Sequence, residues 1–297
     1  MFVVTGATSN TGSAVATALL DRDVPVRVIG RSRERLQPFV DRGAEPVCAE
    51  PSDKEALTKA FAGTTAVYVM LQPGFIATSE DFPAYQRASV EAISAALVDS
   101  RARHVVALSG WGANYEKASG PLEGLRILET RLNEIEGVNS LVLRPGWFME
   151  NAISFIRDIA RDGRASGQLR GDLKLPMIAT KDIGEVVADA LLQHTFQGNL
   201  ASEVEGPATL SLDEAAAIVG ELAGRSTATY VRVSVSEARA QFLDSGFSEH
   251  MADAFVRMTN DLNEERIRML QPPEARIVTR TSFRTFAETI LAAPNLA

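Results

Sequence analysis

A chain of 297 residues with 45% hydrophobic content is long enough to bury one large core, or one core with a smaller lobe packed on it. Thirty Lys and Arg against 38 Asp and Glu leave a net charge of −8, a field that repels phosphate backbones and anionic lipid and argues against nucleic-acid or membrane partners. Cys48 is the one cysteine, which excludes an intrachain disulfide and a thiolate metal cluster, and the three scattered histidines lack metal-ligand spacing, so no metal is expected.

The opening MFVVTGATSN enters a folded pattern at once, and no later stretch reaches the ~20 apolar residues of a membrane span, so a cytoplasmic protein is expected. Short β-branched runs follow at Phe2–Thr5, Val26–Gly30, Pro46–Ala49, Ala66–Leu71, His104–Ser109 and Ser140–Leu143, with helical segments between them. This βαβ rhythm of nearly continuous apolar runs predicts an α/β fold, a Rossmann-type doubly wound parallel sheet covered on both faces. Ser52 with Glu55, and Ser211 with Glu214, have the spacing of helix-capping pairs.

Past Asn151 the rhythm changes. A helix is predicted over Ala152–Arg161, then a glycine-rich loop over Gly163–Gly171, a helix capped by Asp182 and burying Ile183, Val186, Val187 and Ala190, and a strand at Ser202–Gly206. The C-terminal third reads as mostly helical. Residues 1–150 plus 176–205 are assigned to an NAD(P)-binding Rossmann domain, and 151–175 plus 206–297 to a smaller, mostly helical C-terminal substrate lobe.

After the first strand comes TGATSNTG, Thr5 to Gly12, and then an apolar helical stretch. Strand, glycine turn and helix stand in the order that holds a pyrophosphate. Gly6 makes the turn, Gly12 lets helix and strand close together, and the amides between them aim at the phosphates. Ser9 replaces the usual middle glycine and brings a Cβ where the backbone approach is closest. After the second strand an NAD site has a carboxylate on the ribose, whereas this chain reads Gly30-Arg31-Ser32-Arg33. Arg31 is positioned to meet an adenosine 2′-phosphate, with Ser32 or Arg33 assisting; the other reading makes Arg31 and Arg33 solvated charges at a helix start. NADP(H) is therefore the expected cofactor.

At this point the chain resembles the NmrA-like branch of the atypical short-chain dehydrogenase/reductases. The resemblance is carried by TGATSNTG, by VRVIGRS ending at Ser32, by VCAEPSDKEALTKAFAGTTAVYVM from Val47, by HVVALSG from His104, by LVLRPGWFMEN from Leu141 and by LPMIATKDIGEVVADAL from Leu175. Within that branch it is similar to the group holding festuclavine dehydrogenases, quinone reductases and triphenylmethane reductases. The resemblance implies a cleft between the two lobes with NADP(H) across the strand ends. Carried over by position, Gly6, Thr8, Ser9, Asn10, Thr11 and Gly12 would hold the pyrophosphate and Arg31 the 2′-phosphate. Glu50 would meet the adenine edge, and Leu71 and Gln72 would line the adenosine path. Ser109, Gly110, Pro145 and Gly146 would approach the nicotinamide, and Trp111, Trp147, Phe148 and Asn151 the substrate. Trp147, Phe148 and Met149 serve equally well as plain packing.

Short-chain dehydrogenases commonly use a Tyr as acid with a Lys one helical turn later. Read against the family it resembles, the Lys position falls near Arg126, and the residue four before that is Leu122, so the resemblance implies that the pair is missing. An Arg orients or neutralises charge but does not relay protons. Tyr115, after the fifth strand, is the candidate proton donor, with water as the other source. No G-x-S-x-G elbow is present, which argues against hydrolysis. The expected function is an NADPH-dependent reductase passing hydride to a small planar acceptor, a quinone or iminium ion, bound between the lobes. The alternative is a non-catalytic NADP(H)-sensing regulatory protein of the NmrA type. The partner is then a small-molecule substrate, and the chain a monomer or homodimer.

Overall fold

The computed structural model describes residues 1–71, 76–117 and 120–293, and its first half follows the βαβ rhythm. Strands β1 (Phe2–Val4), β2 (Val26–Gly30) and β3 (Glu45–Cys48) alternate with helices α1 (Asn10–Leu20), α2 (Arg33–Val40) and α3 (Lys54–Phe61). The pattern continues through β4 (Ala66–Met70), α4 (Phe82–Ser100), β5 (His104–Leu108), α5 (Pro121–Glu134) and β6 (Asn139–Pro145). Then come β7 (Trp147–Phe148), α6 (Ile153–Asp162), β8 (Arg164–Gly167), β9 (Leu175–Ile178), α7 (Thr180–Gln193) and β10 (Asn199–Glu205). The remaining elements are β11 (Thr209–Leu210), α8 (Leu212–Leu222), β12 (Thr229–Arg232), α9 (Val235–Asp244), α10 (Glu249–Asn263), β13 (Ile277–Val278) and α11 (Phe283–Ala292).

The chain falls into two units, one of Met1–Gly74, Asp81–Arg144 and Thr180–Ser202, the other of Phe75–Glu80, Pro145–Ala179 and Glu203–Ala297. In the first unit the sheet order is β10-β6-β5-β4-β1-β2-β3. Strands β2 and β4 both pair with β1 in parallel, so the connection order reverses beside β1. That reversal leaves a crevice at the carboxyl ends of the strands, where dinucleotide folds take their ligand. Val3, Val67, Val69 and Val105 pack against Leu57 and Phe61 of α3, Ile93 and Leu97 of α4, and Leu128 and Leu132 of α5. Each large side chain buried this way contributes about 1.5–3 kcal/mol. Helix α7 lies on α1, with Gly184 set over Ala14 where no Cβ would fit. Strand β3 is an outer strand of this unit; it carries Pro46, and Glu45 pairs with Arg27 at 3.0 Å.

In the second unit β9 pairs with β7 in parallel and with β11 in antiparallel fashion, and β12 pairs with β8 in parallel. Val204 and Glu205, at the end of β10, pair with Ile277 and Val278 of β13. Reciprocal capping boxes start α8 (Ser211 with Glu214) and α9 (Ser234 with Glu237). Among the described residues no helix is long and apolar enough to cross a membrane.

Four local expectations are corrected. Helix α3 is capped by Asp53 rather than Ser52, its carboxylate accepting from the Ala56 amide at 2.9 Å. The segment Gly163–Gly171 contains strand β8, because Thr229–Arg232 supplies it with a parallel partner. Asp182 lies in the first turn of α7, which starts at Thr180, and the fully buried face is Ile183, Gly184, Val187, Ala188 and Leu191, with Val186 and Ala190 only half-buried. The strand predicted from Ser202 begins at Asn199.

Candidate cofactor and substrate sites

The glycine loop is tied down at both ends. Thr5 is buried at the end of β1, and its hydroxyl accepts from the Met70 amide at the end of β4, 3.1 Å away. Gly6 turns the chain with φ +62°, a region only glycine adopts freely, and the Ser9 amide donates to its carbonyl at 2.8 Å. Ser9 is the N-cap of α1. Its hydroxyl accepts from the Gly12 amide at 3.1 Å and donates to the Met70 sulfur at 3.2 Å. The side chain that replaces the usual glycine thus fixes the start of the helix. A Cβ on Gly12 would stand inside the Gly6 carbonyl, so helix and turn approach as closely as backbone permits.

The residues present fit a dinucleotide phosphate. The first turn of α1 carries no acidic side chain. Its leading amides are the orphan donors every helix start leaves, at the positive end of the helix dipole, and they belong to Asn10 and Thr11 with Thr8 just before them.

Beyond β2, Arg31 is exposed and Ser32 caps α2, accepting from the Arg35 amide at 3.3 Å. The Ser32 hydroxyl accepts that amide and keeps its own proton to donate, and Arg33 is the exposed first residue of α2. Sequence reasoning missed Arg35. Its Nη2 donates to the Thr8 carbonyl at 2.9 Å, which brings a guanidinium onto the glycine loop. Arg31 and Glu50 both act electrostatically on the Tyr85 phenol, whose pKa burial raises above the ordinary 10.0. Arg31, Glu50 and Tyr85 thus share one neighbourhood of the first unit. Leu71 is half-buried, and Gln72 lies outside the described residues.

At the end of β5 the Ser109 hydroxyl is buried and donates to Glu129 Oε1 at 2.5 Å. Arg144 closes on the same carboxylate with two hydrogen bonds, of 3.0 and 2.5 Å. The Arg of the RPGWFMEN motif is thus a brace between β6 and α5, and Ser109 is spent on that brace. Gly110, Trp111 and Tyr115 follow as a turn closed by Ala113 N–H to Gly110 O (3.0 Å) and Tyr115 N–H to Gly112 O (2.9 Å). Trp111 and Tyr115 are half-buried, and the Trp111 ring nitrogen is buried without a partner among the described residues. Arg126 is half-buried on α5, its Nε equally unpartnered, and no hydrogen bond joins it to Tyr115 among the described residues.

In the second unit Pro145 and Gly146 are buried. A Cβ on Gly146 would strike the Pro176 carbonyl, so this glycine lets two strands touch. Trp147 and Phe148 are in register with Met177 and Ile178 of β9. Trp147 and the exposed Asn151 line one cavity of about 390 Å³ with Ser154, Phe155, Gln168 and Tyr230. Phe148 is half-buried and not among its lining residues.

The NmrA-like family pattern matches residues 1–290. The chain belongs to the NmrA-like family. Agroclavine dehydrogenase of Claviceps fusiformis is 34% identical over 137 residues, 45% of this chain and 46% of that enzyme, so the alignment spans under half of the relative's own length. In fold the chain is similar to the NADPH-dependent quinone oxidoreductase of Escherichia coli complexed with NADPH (TM-score 0.81, 20% identity, 98% of this chain and 100% of that one). It is also similar to the triphenylmethane reductase of Citrobacter sp. complexed with NADP(H) (TM-score 0.79, 18% identity, 98% and 100%). These likenesses establish a Rossmann-type α/β fold for this NmrA-like protein.

Proposed function

We propose that this NmrA-like protein is an NADPH-dependent reductase that delivers hydride to a small planar acceptor, a quinone or an iminium ion. The observation that carries the reading is the cradle of Gly6, Ser9 and Gly12 with Arg35 resting on its rim and Arg31 at the end of β2. The relatives' names, a clavine dehydrogenase, a quinone oxidoreductase and a dye reductase, support the same class.

NADP(H), when bound, supplies the hydride. The amides of Thr8, Asn10 and Thr11 would receive the pyrophosphate and Arg31 would meet the adenosine 2′-phosphate, while Arg35 braces the loop through the Thr8 carbonyl. Ser109 is held away from the chemistry by Glu129 and positions the end of β5. Tyr115 and Arg126 orient the acceptor and water supplies the proton, on the reading that Leu122 and Arg126 fall at the family's Tyr and Lys positions. Consumption of NADPH against a panel of quinones, iminium compounds and triphenylmethane dyes tests the reading.

A second reading, a non-catalytic NADP(H) sensor, is favoured by the engagement of the Ser109 hydroxyl with Glu129. Tight NADPH binding with no turnover on any acceptor, together with a cofactor-dependent change of oligomeric state, decides for the sensor.

A further inference from the structure

The cavity of the second unit has a consistent electrical character. Four aromatic residues line it, Trp147, Phe155, Tyr230 and Phe242, and a cation that settles on the face of such a ring is attracted to it. Asp158 is the one charged residue among its lining, from which Lys, Arg and His are absent; a cation beside this wall, Arg232, lies outside the lining, donates to the Gln168 carbonyl at 3.3 Å and acts on the Tyr230 phenol. Asp158 Oδ1 is 2.8 Å from Arg161, but that guanidinium is 66% exposed and shared with Asp162, so its charge is spent largely on water.

Two uncharged groups add to the same sign. The Gln168 Nε2 donates to the Val256 carbonyl (3.1 Å) and to Asn260 Oδ1 (3.0 Å), which fixes the amide and leaves Oε1 buried with no donor among the described residues. Gln168 itself is only 7% exposed. The Tyr230 hydroxyl gives its proton to the Leu169 carbonyl at 3.0 Å and so presents lone pairs elsewhere. Burial raises the Tyr230 phenol above its ordinary range, so it stays neutral.

From this lining we infer that the cavity is a binding pocket for a flat aromatic cation. Aromatic faces attract a delocalised positive charge, and the carboxylate with two electron-rich oxygens reinforces them. An aromatic anion of the same shape meets repulsion and finds no basic side chain in the wall. The volume of about 390 Å³ suits a system of two or three fused rings. The binding preference stands apart from the reductase reading.

The test is calorimetric titration of the full chain, without NADP(H), by two three-ring probes, N-methylacridinium and anthracene-2-sulfonate. The expected result is a preference of about tenfold or more for the cation. Asp158→Asn narrows that preference, and Ser154→Trp, which fills the cavity from an exposed position on α6, removes binding of both probes. Ser166→Trp repeats the blockade from exposed β8, and circular dichroism identifies which blocked variants are folded. Equal or tighter binding of the sulfonate, or undiminished cation binding by a folded blocked variant, overturns the proposal. A parallel NADPH titration keeps the two readings apart: failure there sinks the reductase and leaves the pocket, whereas sulfonate preference sinks the pocket and leaves the reductase.

Discussion

The carbonyl of Gly6 occupies the place where a side chain on Gly12 would begin. Gly12→Ala is therefore expected to push α1 off the turn and weaken NADPH by more than about tenfold, read by titration beside a circular dichroism check of folding. Near-normal affinity in a folded Gly12→Ala protein removes the glycine loop from the account. Ser9 predicts a different pattern. As the N-cap it should cost about 1 kcal/mol on replacement by Ala and only a few tenths on replacement by Gly, measured by urea unfolding. The reverse order would refute the capping role.

Arg31 and Arg35 should separate by cofactor. Arg31→Ala should weaken NADPH by roughly tenfold to a hundredfold and leave NADH nearly unchanged, because only the first carries the phosphate. Raised salt should narrow the wild-type preference, since an exposed charge pair is screened. Arg35→Ala should weaken both cofactors together, because its Nη2 braces the Thr8 carbonyl at 2.9 Å. Calorimetric titrations of both cofactors into both variants decide it, and equal losses for Arg31→Ala would make that residue a solvated helix-start charge.

Acid should loosen the first unit through His104. Burial, then His194, then Arg103 hold its pKa below the ordinary 6.5. Asn139 fixes the cause in geometry: its Oδ1 accepts from the Gly198 amide at 2.8 Å, so its Nδ2 faces His104 Nε2 at 3.4 Å and wants an acceptor there. The unfolded chain therefore binds the proton first. Stability present above the ordinary value is lost as pH falls through it toward the lowered folded pKa. His104→Gln should show a smaller drop in melting temperature between about pH 7.5 and about pH 5.5 than the wild type. An unchanged drop would move the acid sensitivity elsewhere.

Tyr115→Phe should lower turnover by less than about tenfold, below the roughly 10²–10⁴ of a general acid. The phenol lies in a turn with no lysine in hydrogen-bond contact among the described residues. A thousandfold loss in a folded variant, on the order of a full general-acid contribution, would make Tyr115 the acid and discard water as the donor.

Glu129→Gln should cost about 3 kcal/mol by urea unfolding, because the charge opposite the mostly buried Arg144 disappears. Ser109→Ala should cost less, since it removes one hydrogen bond and no charge. Equal costs would mean that the hydrogen bond, rather than the charge pair, holds β5, β6 and α5 together.

The inner strands β1, β4 and β5 were legible because a strand buried on both faces must be apolar throughout, and few other elements are both short and so uniform; β10, whose first residues are exposed, lacks that uniformity and its start was misplaced. The capping site of α3 was not, since Ser52 and Asp53 are neighbours of equal competence and only the backbone decides between them. Strand β8 was hidden because Arg-Ala-Ser-Gly has no strand character of its own and takes its form from β12, a partner distant in sequence. Arg35 escaped for a related reason. Three arginines stand within five residues, and which one reaches Thr8 depends on the direction α2 takes after its cap. Of Trp111, Trp147, Phe148 and Asn151, named together from the sequence, Trp147 and Asn151 line one cavity, and Gln168, Tyr230 and Phe242, which line it with them, come from segments with no motif.

The outer strand β3 governs how this protein behaves in a crowded solution. An open sheet edge is a template on which a second chain can crystallise as one more strand, and from there a fibre can grow. Pro46 presents no N–H along that rim, and Glu45 sets a carboxylate beside it. A Pro46→Val, Glu45→Thr chain would keep the same fold and the same apolar core, yet expose a longer, neutral, β-branched rim. Its penalty would register as turbidity and sedimenting material on storage rather than as a lower melting point.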